Sequence, residues 1–247
     1  MISIILPQLG DNGGYRDRAL LWNVRRWHAL CRSLGVPYEV ILACHIPELD
    51  GPVMSFTAAG NRAIAQARYD TLLIACGDMS VNSDALAWTL REIVGVTWGF
   101  PQCRQVLLNA DMTDALLQSP VSLVLQRSTH PGTYTGNGRY FALLAATKAA
   151  LARINGQDEQ FTGWGFEDHA AVLALTTLVG PHKSFMGDSW HLWHPEAVEW
   201  SDRVAMQENP YYARNEARYQ LYREANGNVK AMEALVGLRE AQNAPLS

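Results

Sequence analysis

The sequence predicts an α/β fold built on a mainly parallel sheet. Three observations predict it. Residues 2–6 form an isoleucine-rich run with no polar alternation to speak of, the mark of a strand covered on both faces. Strand-like and helix-like segments then alternate through the first hundred residues, and glycine, proline or short polar residues punctuate the changes.

The elements follow in order. After the first strand, residues 11–14 make a turn, and residues 15–34 carry Leu20, Leu21, Val24, Trp27, Leu30 and Cys31 at helical spacing. Residues 38–44 read as a second strand, 56–67 as a helix, and 71–76 as a third strand. Residues 83–94 follow as a helix capped by Asn82 or Ser83. The βαβαβ order requires right-handed crossovers, and ligands of such sheets sit beyond the carboxyl ends of the strands. Residues 7–18, 44–56 and 76–80 are therefore the segments to watch. Further on, residues 106–108 and 121–125 read as strands, 128–138 as loop, and 143–154 as a strong helix. A helix over 170–178, a strand or loop through 185–194, and a polar helical tail broken at Asn209-Pro210 complete the chain.

The 247 residues suit one large domain or two small ones and are enough for a sizeable core. A net charge of −4 and the lack of any basic block disfavour nucleic acid as a partner. The first apolar run is too short for a signal peptide and no run suits a membrane span, so membrane insertion is not expected. Cys31, Cys44, Cys76 and Cys103 lack CxxC spacing and read as reduced thiols, which points to the cytoplasm.

Four clusters can carry chemistry. Cys76-Gly77-Asp78 follows the third strand directly, and a carboxylate there, with a glycine allowing close approach, suits a divalent cation holding a nucleotide diphosphate. An ordinary aspartate turn is the plain alternative. His191 and His194 sit three apart and can converge on one metal, although such pairs also arise by accident. Arg16 and Arg18 lie just beyond the first strand, where cations are mildly disfavoured by the helix dipole but can meet a phosphate. Glu167 and Asp168 open a helix after Gly163-Trp164-Gly165. The dipole accounts for one acid, whereas a tryptophan beside a carboxylate suits a sugar, whose C–H face packs on the ring. There is neither a GxxxxGK[ST] loop nor a GxGxxG after the first strand.

Together these motifs resemble the GT-A (nucleotide-diphospho-sugar transferase) fold of glycosyltransferases, over about residues 2–195. The likeness is to the β-1,4-galactosyltransferase family and to the chondroitin polymerase and polypeptide N-acetylgalactosaminyltransferase catalytic domains. Pro7 with Tyr15-Arg16-Asp17-Arg18 is similar to an early Pro-Phe-Arg-x-Arg motif, and Asn61-Arg62 to a helix near the nucleotide. Cys76-Gly77-Asp78 is similar to the Asp-x-Asp metal motif. Asp158 to Phe161 followed by Gly163-Trp164-Gly165-Phe166-Glu167-Asp168 resembles Asp-Glu-x-Phe and Gly-Trp-Gly-Gly-Glu-Asp.

The resemblance implies a central mainly parallel sheet flanked by helices in a catalytic domain of residues 1–200, with residues 201–247 a helical extension packed on it. It implies an inverting, metal-dependent transfer from a UDP-sugar to the hydroxyl of a glycan, protein or other acceptor. Asp168 would be the general base, and Glu167 would bind sugar hydroxyls. Trp164, Gly165 and Phe166 would form the acceptor platform. Asp78, His194 and His191 would hold Mn2+ or Mg2+, and Pro7, Arg16, Arg18, Asn61, Arg62 and Gly77 would line the nucleotide side. Two positions depart from the pattern: Cys76 replaces the first aspartate, and Phe166 replaces a glycine. A sugar-1-phosphate nucleotidyltransferase, or a sugar-nucleotide-binding protein that has lost catalysis, remains the alternative. Asp78, His194 and the Glu167–Asp168 pair are expected to line one cleft.

Overall fold

The computed structural model describes residues 1–8, 13–51, 53, 55–101, 104–126, 128–130, 132–135, 143–163, 165–195 and 209–243. Trp164 and Cys103 lie outside the described residues, as does the 200/201 boundary.

The main sheet has the order β2-β1-β3-β8-β5-β9. Strand β1 (Ile2–Gln8) pairs in parallel with β2 (Tyr38–Cys44) on one side and β3 (Thr71–Ala75) on the other. Strand β8 (Leu143–Thr147) runs antiparallel between β3 and β5 (Trp98–Phe100), and β9 (Lys183–Ser184) pairs parallel to β5. Helices cover both faces. Ile2, Ile4, Leu6, Leu73 and Ala75 join the core beneath α1 (Tyr15–Ser33) and α4 (Ser83–Glu92). On the other face, Ile5, Leu72 and Ile74 join a core with α3 (Phe56–Gln66), α6 (Lys148–Arg153) and α7 (Glu167–Leu178). Both sides of each central strand are buried, which is why the strands read as unbroken apolar runs. The described helices include none long and apolar enough to cross a membrane.

A second sheet, β4-β10-β6-β7, is built from β4 (Met79–Ser80), β6 (Arg104–Leu107), β7 (Thr133–Thr135) and β10 (Asp188–His191). A short α2 (Pro47–Asp50) follows β2, and α5 (Ala110–Leu117) follows β6, capped by the Asn109 side chain. The chain ends in α8 (Pro210–Ala225) and α9 (Val229–Asn243), which pack against α7 and each other. Asn209 caps α8, and Pro210 sits at its first position, where a missing N–H costs nothing.

Three expectations are corrected. Residues 133–135, read as part of a loop over 128–138, are the short strand β7, whose Thr-Tyr-Thr run suits a strand and pairs antiparallel with β6. Residues 143–154 are not one helix. Residues 143–147 are the central antiparallel strand β8, and Thr147 then caps α6 by accepting from the Ala150 N–H at 3.2 Å. Leu143 to Ala146 carry good helix propensity, but burial on both faces between β3 and β5 overrides it. Residues 121–125 form no strand. Their backbone is bonded instead by side chains: Arg26 Nη1 donates to Val121 O at 2.9 Å and to Leu123 O at 2.8 Å. The Asn82 amide donates to Leu125 O at 2.8 Å and accepts from its N–H at 2.9 Å. Asn82 stands at the N-cap of α4 but spends its side chain on this segment.

Candidate active site

The strand order reverses at β1, since β2 leaves to one side and β3 to the other, and such a reversal opens a crevice at the carboxyl ends of the strands. Cys76, Gly77 and Asp78 sit at this crevice, where the chain passes from β3 in the main sheet to β4 in the second. The turn closes through Met79 N–H on Cys76 O at 2.9 Å. Gly77 sits where side chains crowd the turn. A Cβ there would lie 2.0 Å from the Gln8 Oε1 at the end of β1, and its carbonyl accepts from the buried Asn23 amide of α1 at 2.9 Å.

Strand β10 delivers the histidines to the same place. His191 is in register with Met79, and Leu192 N–H donates to Asp78 O at 2.9 Å, so the ladder fixes this stretch against Asp78. Asp78 Oδ2 lies 3.1 Å from His194 Nε2, and Oδ1 lies 3.7 Å from His191 Nε2. One ligand atom from each residue falls within 4.8 Å of the others. His194 Nδ1 donates to the Pro195 carbonyl at 3.1 Å, which leaves Nε2 facing the cluster, the orientation a metal-binding imidazole requires. Asp78 is buried, and its Oδ1 has no hydrogen-bond partner. A desolvated carboxylate oxygen without a hydrogen bond is costly. One carboxylate and two imidazoles are a fitting donor set for a divalent transition ion, and a cation would satisfy that oxygen. Burial pushes the Asp78 carboxyl up, but His191, then His194 and Arg16, outweigh it and hold the group below its usual range.

The acidic corner carries three positive-φ residues among those described: Gly163 at 72°, and the adjacent Gly165 at 107° and Phe166 at 70°. Two are glycines, which adopt this region freely; Phe166 carries a strain of about 1–2 kcal/mol. Its ring is held by Tyr219, stacked at 5.3 Å, and by Tyr212 at 4.9 Å, both from α8. Phe166 stands at the N-cap of α7 and offers no side-chain cap; Glu167 and Asp168 open the first turn. Asp168 Oδ1 accepts from the His169 N–H at 2.7 Å. Burial, reinforced by the Asp168 charge, pushes Glu167 up to about 7.

Asp78, Glu167 and Asp168 share one electrostatic neighbourhood. Cys76 is raised above the ordinary thiol range by burial first and then by these three carboxylates, with Arg16 opposing. Arg16 also acts on both Asp78 and His194. The other candidates have structural contacts. Arg18 pairs with Asp114 at 3.2 Å on the exposed side of α1 and covers the Tyr15 ring at 4.2 Å. Arg62 pairs with Asp50 at 2.6 Å and donates to Cys44 O at 2.8 Å. The Asn61 amide donates to Gln157 O and to Glu159 Oε1, both at 2.8 Å. Pro7 lies within β1, opposite Ala43.

Sequence reasoning missed Gln8, Asn23 and Arg26 as supports of the metal turn. Arg26 reaches Val81 O at 2.6 Å, three residues beyond Asp78. The available signal was two polar residues three apart, at 23 and 26, on the same stripe of α1 as Leu20, Trp27 and Leu30.

Neither a protein-family model nor a curated protein sequence matches the chain. Among solved structures it is similar to a variant of Drosophila β1,4-galactosyltransferase 7 in complex with manganese, UDP-Gal and xylobiose. The identity is 14%, the TM-score is 0.49, and the match covers 84% of this chain and 79% of that one. It is also similar to glucosyl-3-phosphoglycerate synthase from Mycobacterium tuberculosis with Mn2+, UDP and phosphoglyceric acid. Here the identity is 13% and the TM-score 0.48, over 93% of this chain and 79% of that one. The same enzyme with Mg2+ and UDP gives 14% identity and a TM-score of 0.47, covering 90% and 79%. At these identities the likeness assigns no residue a role.

Proposed function

We propose that the chain is a GT-A glycosyltransferase that moves a sugar from a UDP-sugar to an acceptor hydroxyl, with inversion at the anomeric carbon. The observation that carries this reading is the Asp78–His191–His194 cluster, with its buried unbonded carboxylate oxygen, in electrostatic range of the Glu167–Asp168 corner. Asp78, His191 and His194 would hold Mn2+ or Mg2+, whose charge stabilises a departing diphosphate. Arg16 and the close backbone approach at Gly77 serve the nucleotide side. Asp168 accepts the acceptor's hydroxyl proton, the oxygen forms its bond to the anomeric carbon, and the bond to UDP breaks with its electron pair left on the diphosphate. One displacement with one base inverts the centre. Glu167, which retains a proton near neutrality, serves as a hydrogen-bond donor to a sugar hydroxyl, so that the two neighbouring acids do different work. Gly165, Phe166 and Trp164 form the acceptor side.

Screening UDP-sugars for Mn2+-dependent release of UDP, followed by mass spectrometry of the modified acceptor, tests the reading directly. Asp168→Asn should bind UDP and Mn2+ as the wild type does and release at least about 100-fold less UDP, the usual scale of acid–base assistance. A wild type that neither transfers nor hydrolyses any UDP-sugar overturns the enzyme reading. The presence of Cys76 favours one second reading, a sugar-nucleotide-binding protein without catalysis: a thiol held neutral supplies no carboxylate where the resembling motif has one. Tight Mn2+-dependent UDP binding without turnover is its signature.

A further inference from the structure

The corner that carries Asp168 is tied down by the C-terminal helix α8, which shares the core of the sheet. Asp158, ten residues before Asp168, is buried and accepts from Arg218 Nε at 2.6 Å and from the Tyr222 hydroxyl at 2.8 Å, both on α8. Its other oxygen accepts from Gln160 N–H at 3.1 Å and its carbonyl from Phe161 N–H at 3.1 Å, so the same residue folds the turn it anchors. Further along, the Phe161 carbonyl accepts from Thr57 at 3.3 Å at the start of α3. The Thr162 carbonyl accepts from the Asn215 amide of α8 at 3.0 Å. At Gly163 a Cβ would lie 2.7 Å from the Tyr211 ring, and Phe166 then stacks on Tyr219. From residue 158 to residue 166 the chain meets α8 again and again.

Such bonding exceeds what holding a surface helix needs. A charge-assisted bond to a buried carboxylate is short and directional, so Arg218 and Tyr222 together hold Asp158 in one orientation. Positive φ at Gly163, Gly165 and Phe166 leaves the described corner outside any strand ladder, and Phe166 gives α7 no side-chain cap. Its placement therefore depends on its neighbours, and α8 supplies them.

We infer that α8 is a positioning element for the proposed base: Arg218 and Tyr222, acting through Asp158 and aided by Asn215, set the place of Asp168 relative to the metal cluster. This rests on the proposed glycosyl transfer for its catalytic consequence, but not for its structural content. Arg218 and Tyr222 do not touch substrate in this scheme. They act on the reaction through the corner alone.

The test compares wild type with Arg218→Met, Arg218→Lys and Tyr222→Phe in the full chain, using Mn2+ with UDP for binding and UDP release from UDP-sugars for turnover. Tyr222→Phe keeps the ring and removes one hydroxyl, so it remains informative where Arg218→Met fails to fold. The expected result is a fall in kcat of the order of 100-fold for Arg218→Met, the effect of a shift of about 1 Å in a catalytic group. KM for the UDP-sugar and the affinity for Mn2+ with UDP stay within about twofold, and Arg218→Lys recovers part of the loss. Hydrogen exchange of residues 159–169 should rise at least about tenfold in folded variants while the β1–β3 amides stay protected. Unchanged exchange at residues 159–169, or a loss of UDP affinity equal to the loss of turnover, overturns the inference. If the wild type releases no UDP from any UDP-sugar, the enzyme reading fails, and hydrogen exchange alone decides whether α8 positions the corner.

Discussion

Replacing Glu167 with glutamine should make the protein more stable at pH 8, although the residue sits at the candidate catalytic corner. Burial and the Asp168 charge raise this carboxyl from its ordinary 4.5 to about 7. The folded protein therefore binds a proton more tightly than the unfolded chain does, and the sign is the reverse of the usual acid. Below pH 4.5 both states hold the proton and nothing is lost. Between 4.5 and about 7 the unfolded chain ionises first and stability falls as pH rises; above 7 the loss is complete and constant. At about 1.4 kcal/mol per pH unit the full loss is roughly 3 kcal/mol, and the partial exposure of the side chain brings it to about 2–3 kcal/mol. Glutamine keeps the shape and cannot ionise. Glu167→Gln should thus gain that amount at pH 8, about 5–10 °C in Tm for a chain of this size, and almost nothing at pH 4.5. Urea unfolding of both proteins from pH 4.5 to 8.5 measures it. All other titrating groups are shared, so the difference curve isolates Glu167. A flat difference, or a glutamine variant less stable at pH 8, refutes the account of this corner as two acids forced together.

Two further outcomes are expected. Arg26→Met removes donors from Val81 O, Asn82 Oδ1, Val121 O and Leu123 O, and should destabilise the chain by roughly 3 kcal/mol despite the relief of a buried charge whose pKa burial lowers to about 10. Thermal unfolding reads the loss, and limited proteolysis should cut first within residues 119–126; wild-type stability would refute it. Mn2+ binding should release one proton at pH 6: burial lowers the His194 pKa, but the Asp78 hydrogen bond and charge outweigh it and raise the group, so its Nε2 proton must leave. Affinity then weakens about tenfold per pH unit as pH falls below the His194 pKa, and calorimetry in two buffers counts the proton. Asp78→Asn should abolish the binding, and metal uptake without proton release at pH 6 would refute the protonated state that Asp78 gives His194.

The main sheet was legible where each element carried its own signal. Residues 2–6 and 71–76 announced strands because both of their faces are buried, and 38–44, a half-buried edge strand, through its apolar β-branched run; α1, α3 and α4 showed a one-sided apolar stripe with turn residues at their ends. β8 was illegible because Leu143 to Ala146 suit a helix as well as a buried strand, and only their neighbours β3 and β5 decide. The second sheet was legible only in fragments, as the strand read at 106–108, which is β6, and the strand or loop read over 185–194, which holds β10. Its strands are two to four residues long, too short for a period, and β4 finds β10 more than a hundred residues away. The acidic, glycine and histidine motifs stood out locally. What joins them did not: Asn23, Arg26 and Gln8 beneath the metal turn, and Arg218 and Tyr222 behind the corner, are polar residues whose partners lie about 50 or more residues away.

The cysteine at residue 76 follows from the same crowding. Asp78 is buried and keeps its negative charge only because His191, His194 and Arg16 face it. Among the described residues, the groups that shift Glu167 include no cation, and it already retains a proton near neutrality. A carboxylate at residue 76 would add another negative charge beside Asp78, Glu167 and Asp168, the groups that push the Cys76 thiol upward after burial. A like charge in a desolvated site disfavours ionisation of its neighbours. Such a carboxylate would therefore raise Glu167 further and draw on the cationic support that keeps Asp78 ionised. A neutral thiol avoids that, at the cost of one oxygen donor near the cleft. The remaining donors, one carboxylate and two imidazoles, are sufficient in kind for a transition ion, so the replacement trades a ligand-side oxygen for a carboxylate pair that stays chemically divided.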